Sequence, residues 1–383
     1  MEELLSAEEW IMSAILFTEH PAGNGKKIAQ ATLNSEKSLN ALSLEMIRLL
    51  APKLSEWQAD PSVAAVILDG AGAKAFCAGG DIVNLYKGMV GEGEPGFCEA
   101  FFIEEYRLDY AIHCFDKPLI VWGSGIVMGG GLGLMAGADY RVVTETSRIA
   151  MPEVSIGLYP DVGGTWFLNR MPGRVGLFLG LTASAMNAAD CLYVGLADRY
   201  IQSDKRPLLL ELLQGVAWGD DLEALHHGVN TVLRQLEQES LTAQPSLQPE
   251  SQLFKHREQI NTLMDHQALS DIHTAILALE TDDRWLQRAQ AALRGGSPAA
   301  MALIFAQLKR GKQLSLKEVF QAELDLSVNC TQAGEFAEGV RALLIDKDGK
   351  PNWTFKSLAE VDADWIEALF QSPWPERHPL AGL

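Results

Sequence analysis

Short apolar runs separated by amphipathic stretches mark the first half of the chain. Val63–Leu68 (VAAVIL) and Leu119–Trp122 (LIVW) are uninterrupted, the pattern of strands covered on both faces. Ala14–Thr18 and Lys27–Leu33 read as a further strand pair, joined by a turn containing Pro21-Ala22-Gly23-Asn24-Gly25. Tyr140–Val143 and Arg148–Ala150 have the same short-strand character. After the first pair, Leu42, Met46, Leu49 and Leu50 recur at helical spacing, with Ser43 placed to cap that helix. Strands alternating with helices in this rhythm predict an α/β core of repeated ββα-type turns.

The character changes after Arg199-Tyr200-Ile201. From about Pro207 onward helical periodicity dominates and strand-like runs nearly vanish. Two units are expected: a core over residues 1–206 and a mainly helical region over residues 207–383. Within the second, Glu239 to Ser251 (ESLTAQPSLQPES) reads as a polar linker. Ser297-Pro298 reads as the start of one helix, and Ser315-Leu316-Lys317-Glu318 as a capping box opening another.

Composition narrows the function classes. A chain of 383 residues with a formal charge of -19 is a poor partner for nucleic acid or an anionic membrane surface. Its apolar runs fall short of the ~20 residues of a membrane span. Five scattered cysteines without a CxxC pair argue against a structural zinc site or a disulfide framework. The acidic start MEELLSAEEW does not read as a signal or transit peptide, and a cytoplasmic location is expected.

Candidate chemistry gathers in three places. Phe76-Cys77-Ala78-Gly79-Gly80-Asp81 follows the Val63–Leu68 strand, and its small residues let backbone approach a ligand. Met128-Gly129-Gly130-Gly131 follows the Leu119–Trp122 strand and opens a helix, where free N–H groups favour an anion or oxyanion. Together the two loops could supply the donors of an oxyanion hole. Glu153 and Asp161 then sit in Pro- and Gly-containing turns among apolar residues, surroundings that tune carboxyls as acid and base. Gly131-Leu132-Gly133-Leu134-Met135-Ala136 also fits a dinucleotide-binding pattern, although nothing else in the chain supports one. Cys77 reads as a small buried residue and His113-Cys114 as packing. His226-His227 and the Glu104-Glu105 pair read as solvated positions on helices.

AFCAGGDI, GIVMGGGLGL and AMPEVSIGLYPDVGGTWFL, in this order, resemble the crotonase (enoyl-CoA hydratase/isomerase) superfamily, and most of all its thioester-hydrolase branch. FFIEEYRLDYAIHCFDKP and EFAEGVRALLIDKDGKPNW extend the resemblance over most of the chain, while residues 207–310 carry little of it. The resemblance implies a ClpP-like spiral of ββα units. It implies an enzyme that hydrolyses 3-hydroxyisobutyryl-CoA, or a related short 3-hydroxyacyl-CoA, in valine breakdown. The Gly80 and Gly130 N–H groups would form the oxyanion hole, Glu153 and Asp161 would be catalytic, and Glu105 would reach the substrate. Coenzyme A would lie along loops containing Lys37, Ala41, Leu42, Lys74 and Ala78. A hydratase usually carries a glutamate two residues beyond the GGG run, where this chain has Gly133, which counts against a hydratase or isomerase. A non-catalytic acyl-CoA-binding protein is the alternative of another class, and the pair Glu153 and Asp161 speaks against it. The resemblance implies an acyl-CoA substrate as partner, no metal or redox cofactor, and possible assembly into a homo-oligomer.

Overall fold

The computed structural model describes residues 13–383, so the acidic N-terminal stretch read above lies outside the described residues. A six-stranded sheet has the order β1 (Ile15–Pro21), β2 (Lys27–Leu33), β3 (Val63–Gly70), β5 (Leu119–Gly123), β7 (Tyr140–Val143), β9 (Arg199–Tyr200), and a three-stranded sheet the order β4 (Ala75–Cys77), β6 (Ile126–Met128), β8 (Arg148–Ala150). β1 (Ile15–Pro21) and β2 (Lys27–Leu33) form the expected hairpin, in register from Ile15 opposite Leu33 to Pro21 opposite Lys27. Asn24 turns the corner with φ 57°. β3 (Val63–Gly70) lies parallel to β2, and every one of its residues is buried, as its unbroken apolar run predicts. The helix Leu44–Ala59 crosses between them. Ser43 caps it by accepting the Met46 N–H, and it buries Met46, Ile47, Leu50, Leu54 and Trp57.

Three ββα repeats follow, which confirms the α/β spiral. β3 leads to β4 (Ala75–Cys77), β5 (Leu119–Gly123) to β6 (Ile126–Met128), and β7 (Tyr140–Val143) to β8 (Arg148–Ala150). The first strand of each repeat joins the large sheet, which β9 (Arg199–Tyr200) closes, and the second joins the small one. Because β4, β6 and β8 run parallel, the segments that leave their C-terminal ends emerge side by side, about 4.8 Å apart per strand step. Those segments are Ala78–Gly80, Gly129–Gly130 and Met151–Glu153.

Helices make up the rest. Leu209, Leu213, Leu225, Val229 and Leu233 cover one face of the large sheet against Ala65, Ile67, Ile120 and Trp122. Later helices join the other, larger cluster; Leu316–Gln332 packs along the helix Phe97–His113. Ser297 and Ser315 cap their helices as read from sequence, the latter through a full capping box with Glu318. The linker expected over Glu239–Ser251 is shorter than that: the helix Leu222–Ala243 runs through its first five residues, 239 to 243. Leu236 and Ser240 are buried on that helix, and burial outweighs local polarity.

Candidate active site

The loop after β4 is held by backbone bonds that leave the Gly80 N–H uncommitted. The Leu42 N–H donates to Gly79 O at 2.8 Å, and the Asp81 N–H to Leu42 O at 2.9 Å. The Ala78 N–H donates to Leu39 O at 3.1 Å. None of these uses the Gly80 N–H. Gly79 turns the chain with φ +118°, a conformation open to glycine and strained for other residues. After β6, Gly130 is the first residue of the helix Gly130–Ala136, where N–H groups have no partner inside the helix. A Cβ placed on Gly130 would stand 3.3 Å from the Gly80 nitrogen, so the two segments are in contact.

Three carboxyls converge on this corner. Glu153 opens a single turn (Glu153–Ile156) just after β8, and its Oε1 lies 3.1 Å from where a Cβ on Gly129 would stand. Asp161 precedes Val162, a β-branched residue held at φ 52°; such strain persists only where packing over-determines it. Glu105 comes from the buried face of Phe97–His113, and its Oε1 sits hard against Gly130. All three line one cavity of about 70 Å³ together with Ala78, Gly80, Gly130 and Leu158. Burial pushes each carboxyl up. Asp161 rises to about 6, against a lowering hydrogen bond from Tyr106. Glu153 rises well above the carboxylate range through burial and the nearby Asp161 charge. Glu105 does so through burial, then the charges of Asp109, Asp161 and Glu153. Glu153 Oε2 and Glu105 Oε1 are buried without a hydrogen-bond partner in the protein, an arrangement suited to a polar ligand.

The chain matches the enoyl-CoA hydratase/isomerase family over residues 28–370. It belongs to that family. It is 39% identical, over 89% of this chain and 86% of the relative, to the protein named 3-hydroxyisobutyryl-CoA hydrolase, mitochondrial, of Xenopus tropicalis. Identity to the protein of the same name from Homo sapiens is 36%, over 89% of this chain and 85% of the relative. Among solved structures, a carnitinyl-CoA dehydratase from Mycobacterium thermoresistibile superposes with TM-score 0.82 at 33% identity, covering 95% of this chain and 98% of that one. An enoyl-CoA hydratase from Rhodobacter sphaeroides 2.4.1 does so at 0.78 and 32% identity, covering 94% and 98%.

Within this crotonase-family fold the other candidates sort themselves by burial. The pair Glu104-Glu105 splits: Glu104 pairs with Arg48 at the surface at 2.7 Å, whereas Glu105 is 2% exposed. The residue pattern alone reads both as solvated, whereas Glu105 lines the cavity, the place the resemblance gave it, because it falls on the apolar stripe of its helix with Phe101, Phe102, Leu108 and Ile112. Cys77 is buried, with its thiol pushed up to about 12 by burial, unsuited to a nucleophile. His227 is exposed, but His226 is half-buried, its ring facing Tyr140 at 5.8 Å. Gly131 and Gly133 serve close packing, Gly131 on the backbone of Cys77 and Gly133 on Asp109 and Val162. Both are buried in that role, and no pyrophosphate cradle is built from them.

Of the residues expected along coenzyme A, Lys37 and Lys74 are exposed, on two loops tied together by Asn40. The Asn40 amide donates to Ala71 O at 2.9 Å and to Ala75 O at 3.0 Å. Ala41 is half-buried, and Ala78 lines the cavity. Leu42 is fully buried, so its side chain belongs to the core and its backbone to the Gly79–Asp81 loop.

Sequence reasoning missed four groups around Asp161. The Tyr106 hydroxyl lies 2.6 Å from Asp161 Oδ2 and 2.7 Å from Ser327 Oγ. Tyr159 lies 2.8 Å from Ser327 Oγ and donates to Glu323 O at 2.7 Å. The Glu323 carboxyl accepts the Gly163 and Thr165 N–H groups at 2.7 and 2.9 Å, fixing the turn after Asp161. It also missed Asp109, one turn beyond Glu105, whose buried carboxyl oxygens have no partner; His113, a turn further on, packs against Phe320 as read, with its Nε2 unpartnered. Polar residues at helical spacing on an otherwise apolar stripe were the available signal for Glu105, Asp109 and His113. Ser327 and Glu323 lie on a helix 160 residues and more from their partners, and no local pattern marks them.

Proposed function

We propose that this enzyme hydrolyses the thioester of 3-hydroxyisobutyryl-CoA, or of a related short 3-hydroxyacyl-CoA, to the free hydroxy acid and coenzyme A. The observation that carries the reading is the meeting of Gly80, Gly130, Glu105, Glu153 and Asp161 in one small cavity. The names of the relatives at 36% to 39% identity support it.

In this reading the thioester carbonyl oxygen takes its negative charge against the Gly80 and Gly130 N–H groups, each donor worth about 3–4 kcal/mol to the transition state. Glu153 either takes a proton from the attacking water or attacks the carbonyl itself to give a mixed anhydride that water then opens. Its raised proton affinity suits a base working near neutral pH. Asp161 and Glu105 receive the 3-hydroxyl of the substrate, and Asp161 manages a proton. The C–S bond breaks, water supplies OH to the acyl carbon and a proton to the thiolate, and no metal or redox cofactor enters the balance. Lys37 and Lys74, with Ala41, Leu42 and Ala78, flank the coenzyme A moiety. The core of residues 1–206 carries the catalytic turns, and residues 207–383 close over them. Among the described residues no helix is long and apolar enough to cross a membrane. The relatives are named as mitochondrial; a cytoplasmic location for this chain is part of the proposal, as is assembly into a homo-oligomer.

Release of free thiol from a panel of short acyl-CoAs, with and without a 3-hydroxyl, tests the reading. The 3-hydroxy substrates are expected to turn over fastest, because a site built to pair with a hydroxyl leaves its own groups unpaired without one. Hydration of crotonyl-CoA without thiol release would favour a hydratase instead.

A further inference from the structure

Asp161, Tyr106, Ser327, Tyr159 and the Glu323 carbonyl form an unbranched chain of oxygens. Its four links measure 2.6, 2.7, 2.8 and 2.7 Å in that order. Each is a normal O–H···O separation, and each therefore calls for one hydrogen. The hydroxyls of Tyr106, Ser327 and Tyr159 supply one hydrogen apiece. The terminal carbonyl has none to give. Four links and three hydroxyl hydrogens leave one link short unless Asp161 brings the fourth.

We infer that the Tyr106–Ser327–Tyr159 hydroxyl chain favours the carboxylic-acid form of Asp161 and so raises the pH at which it ionises. In that state the Asp161 O–H donates to Tyr106, Tyr106 to Ser327, Ser327 to Tyr159, and Tyr159 to the Glu323 carbonyl. When Asp161 gives up its proton, Tyr106 turns to donate to the carboxylate and Ser327 turns to donate to Tyr106. Tyr159 stays on the carbonyl, so the Ser327–Tyr159 link is left with two oxygen lone pairs facing each other. Ionising Asp161 thus costs a buried hydrogen bond elsewhere in the chain.

The surroundings act in the same sense. From the helix Phe97–His113, Asp161 faces Glu105, Tyr106 and Asp109. From the turns on its own side it faces Glu153 and Tyr159, and from the helix Leu316–Gln332 it faces Glu323 and Cys330. All of these groups are neutral or negative when they titrate, and negative neighbours disfavour the carboxylate. Tyr106, Tyr159 and Ser327 are positioning residues here, acting through Asp161. The second helical region thereby sets the protonation of a residue in the first. The inference rests on the proposed role of Asp161 but is tested without turnover.

Isotope-edited infrared spectroscopy of the full chain, with the Asp161 band assigned by its loss in Asp161→Asn, reads the acid carbonyl stretch against pH. Ser327→Ala leaves two links and two hydrogens with Asp161 ionised, and Tyr159→Phe does the same. Both are expected to move the midpoint down by about one pH unit, the worth of one buried hydrogen bond. Tyr106→Phe strips the carboxylate of its donor and is expected to move it up. Ser327→Thr keeps the hydroxyl and is expected to restore the parent midpoint. Thermal unfolding confirms which variants are folded, and either of the two lowering variants suffices. A midpoint unmoved or raised in both folded lowering variants, or lowered in Tyr106→Phe, would overturn the inference. Failure of the wild-type protein to release thiol would overturn the proposed function and leave this titration as it stands.

Discussion

An Asp109 carboxylate oxygen lies 2.8 Å from where a Cβ on Gly133 would stand, and the Val162 Cβ lies 2.7 Å from the same point. Position 133 is where the resemblance places the first catalytic glutamate of a hydratase. In this chain the space is filled instead by Asp109 of the neighbouring helix and by Val162 of the turn after Asp161. Gly133→Ala is expected to cost about 1–3 kcal/mol through overpacking. Gly133→Glu is expected to be worse and to gain no hydration of crotonyl-CoA. Urea unfolding of Gly133→Ala at parent stability would contradict this packing.

Gly130→Ala drives a methyl against the Glu105 carboxylate and to 3.3 Å from the Gly80 nitrogen, into the corner where an acyl oxygen would sit. The N–H is retained but the acyl oxygen is kept from it, and turnover is expected to fall by about 10²–10³, as when one oxyanion donor is lost. Thiol release measured on protein shown to be folded checks it, and near-parent turnover would remove Gly130 from the oxyanion hole.

Glu153→Gln keeps the shape of the side chain and removes its basicity. A drop in kcat of at least about 10² with KM changed by no more than a few-fold is expected for a base or nucleophile. A matching rise in KM with kcat intact would instead make Glu153 a binding group.

Glu323 contributes to the pH dependence of stability alongside the buried acids Glu105, Asp109 and Glu153, which burial raises in the same direction. Burial holds the Glu323 proton up to about 8, against hydrogen bonds from Thr165 and Gly163. A carboxyl whose proton is held more tightly in the fold stabilises fully below its unfolded value, about 4.3. That contribution is lost as pH rises through the folded value. Asp161, at about 6, loses its share lower in the range. His113 runs the other way: burial lowers it to about 4, so its contribution is present above about 6.5 and is lost on acidification. Unfolding free energy is therefore expected to decline from about pH 6.5 to 8, and Glu323→Gln to flatten that decline. A parent curve that rises over this window would refute the assignment.

The Gly-rich loops and the Glu153 and Asp161 turns were legible because each depends on residues adjacent in the chain. A glycine at a helix start, or a carboxyl beside Pro160 or Gly157, leaves a local mark. Glu105 was half legible. Its pair with Glu104 reads as solvent-facing, and only the helix's apolar stripe, once packed, separates the buried acid from the exposed one. Residues 222–243 misled in the opposite direction, since polar letters near Glu239 hid a helix whose buried side extends to Ser240.

By itself the sequence determined the ββα rhythm, the caps at Ser43, Ser297 and Ser315, and the short list of loops able to bind an acyl oxygen. These follow from periodicity and backbone chemistry within a turn or two. The tertiary structure decided which loops meet, because the order β4-β6-β8 is a property of strand pairing between distant segments. It also decided the proton chemistry of the acids. A carboxyl's affinity for its proton depends on what surrounds it in space, and for Asp161 those neighbours come from residues 105 to 330.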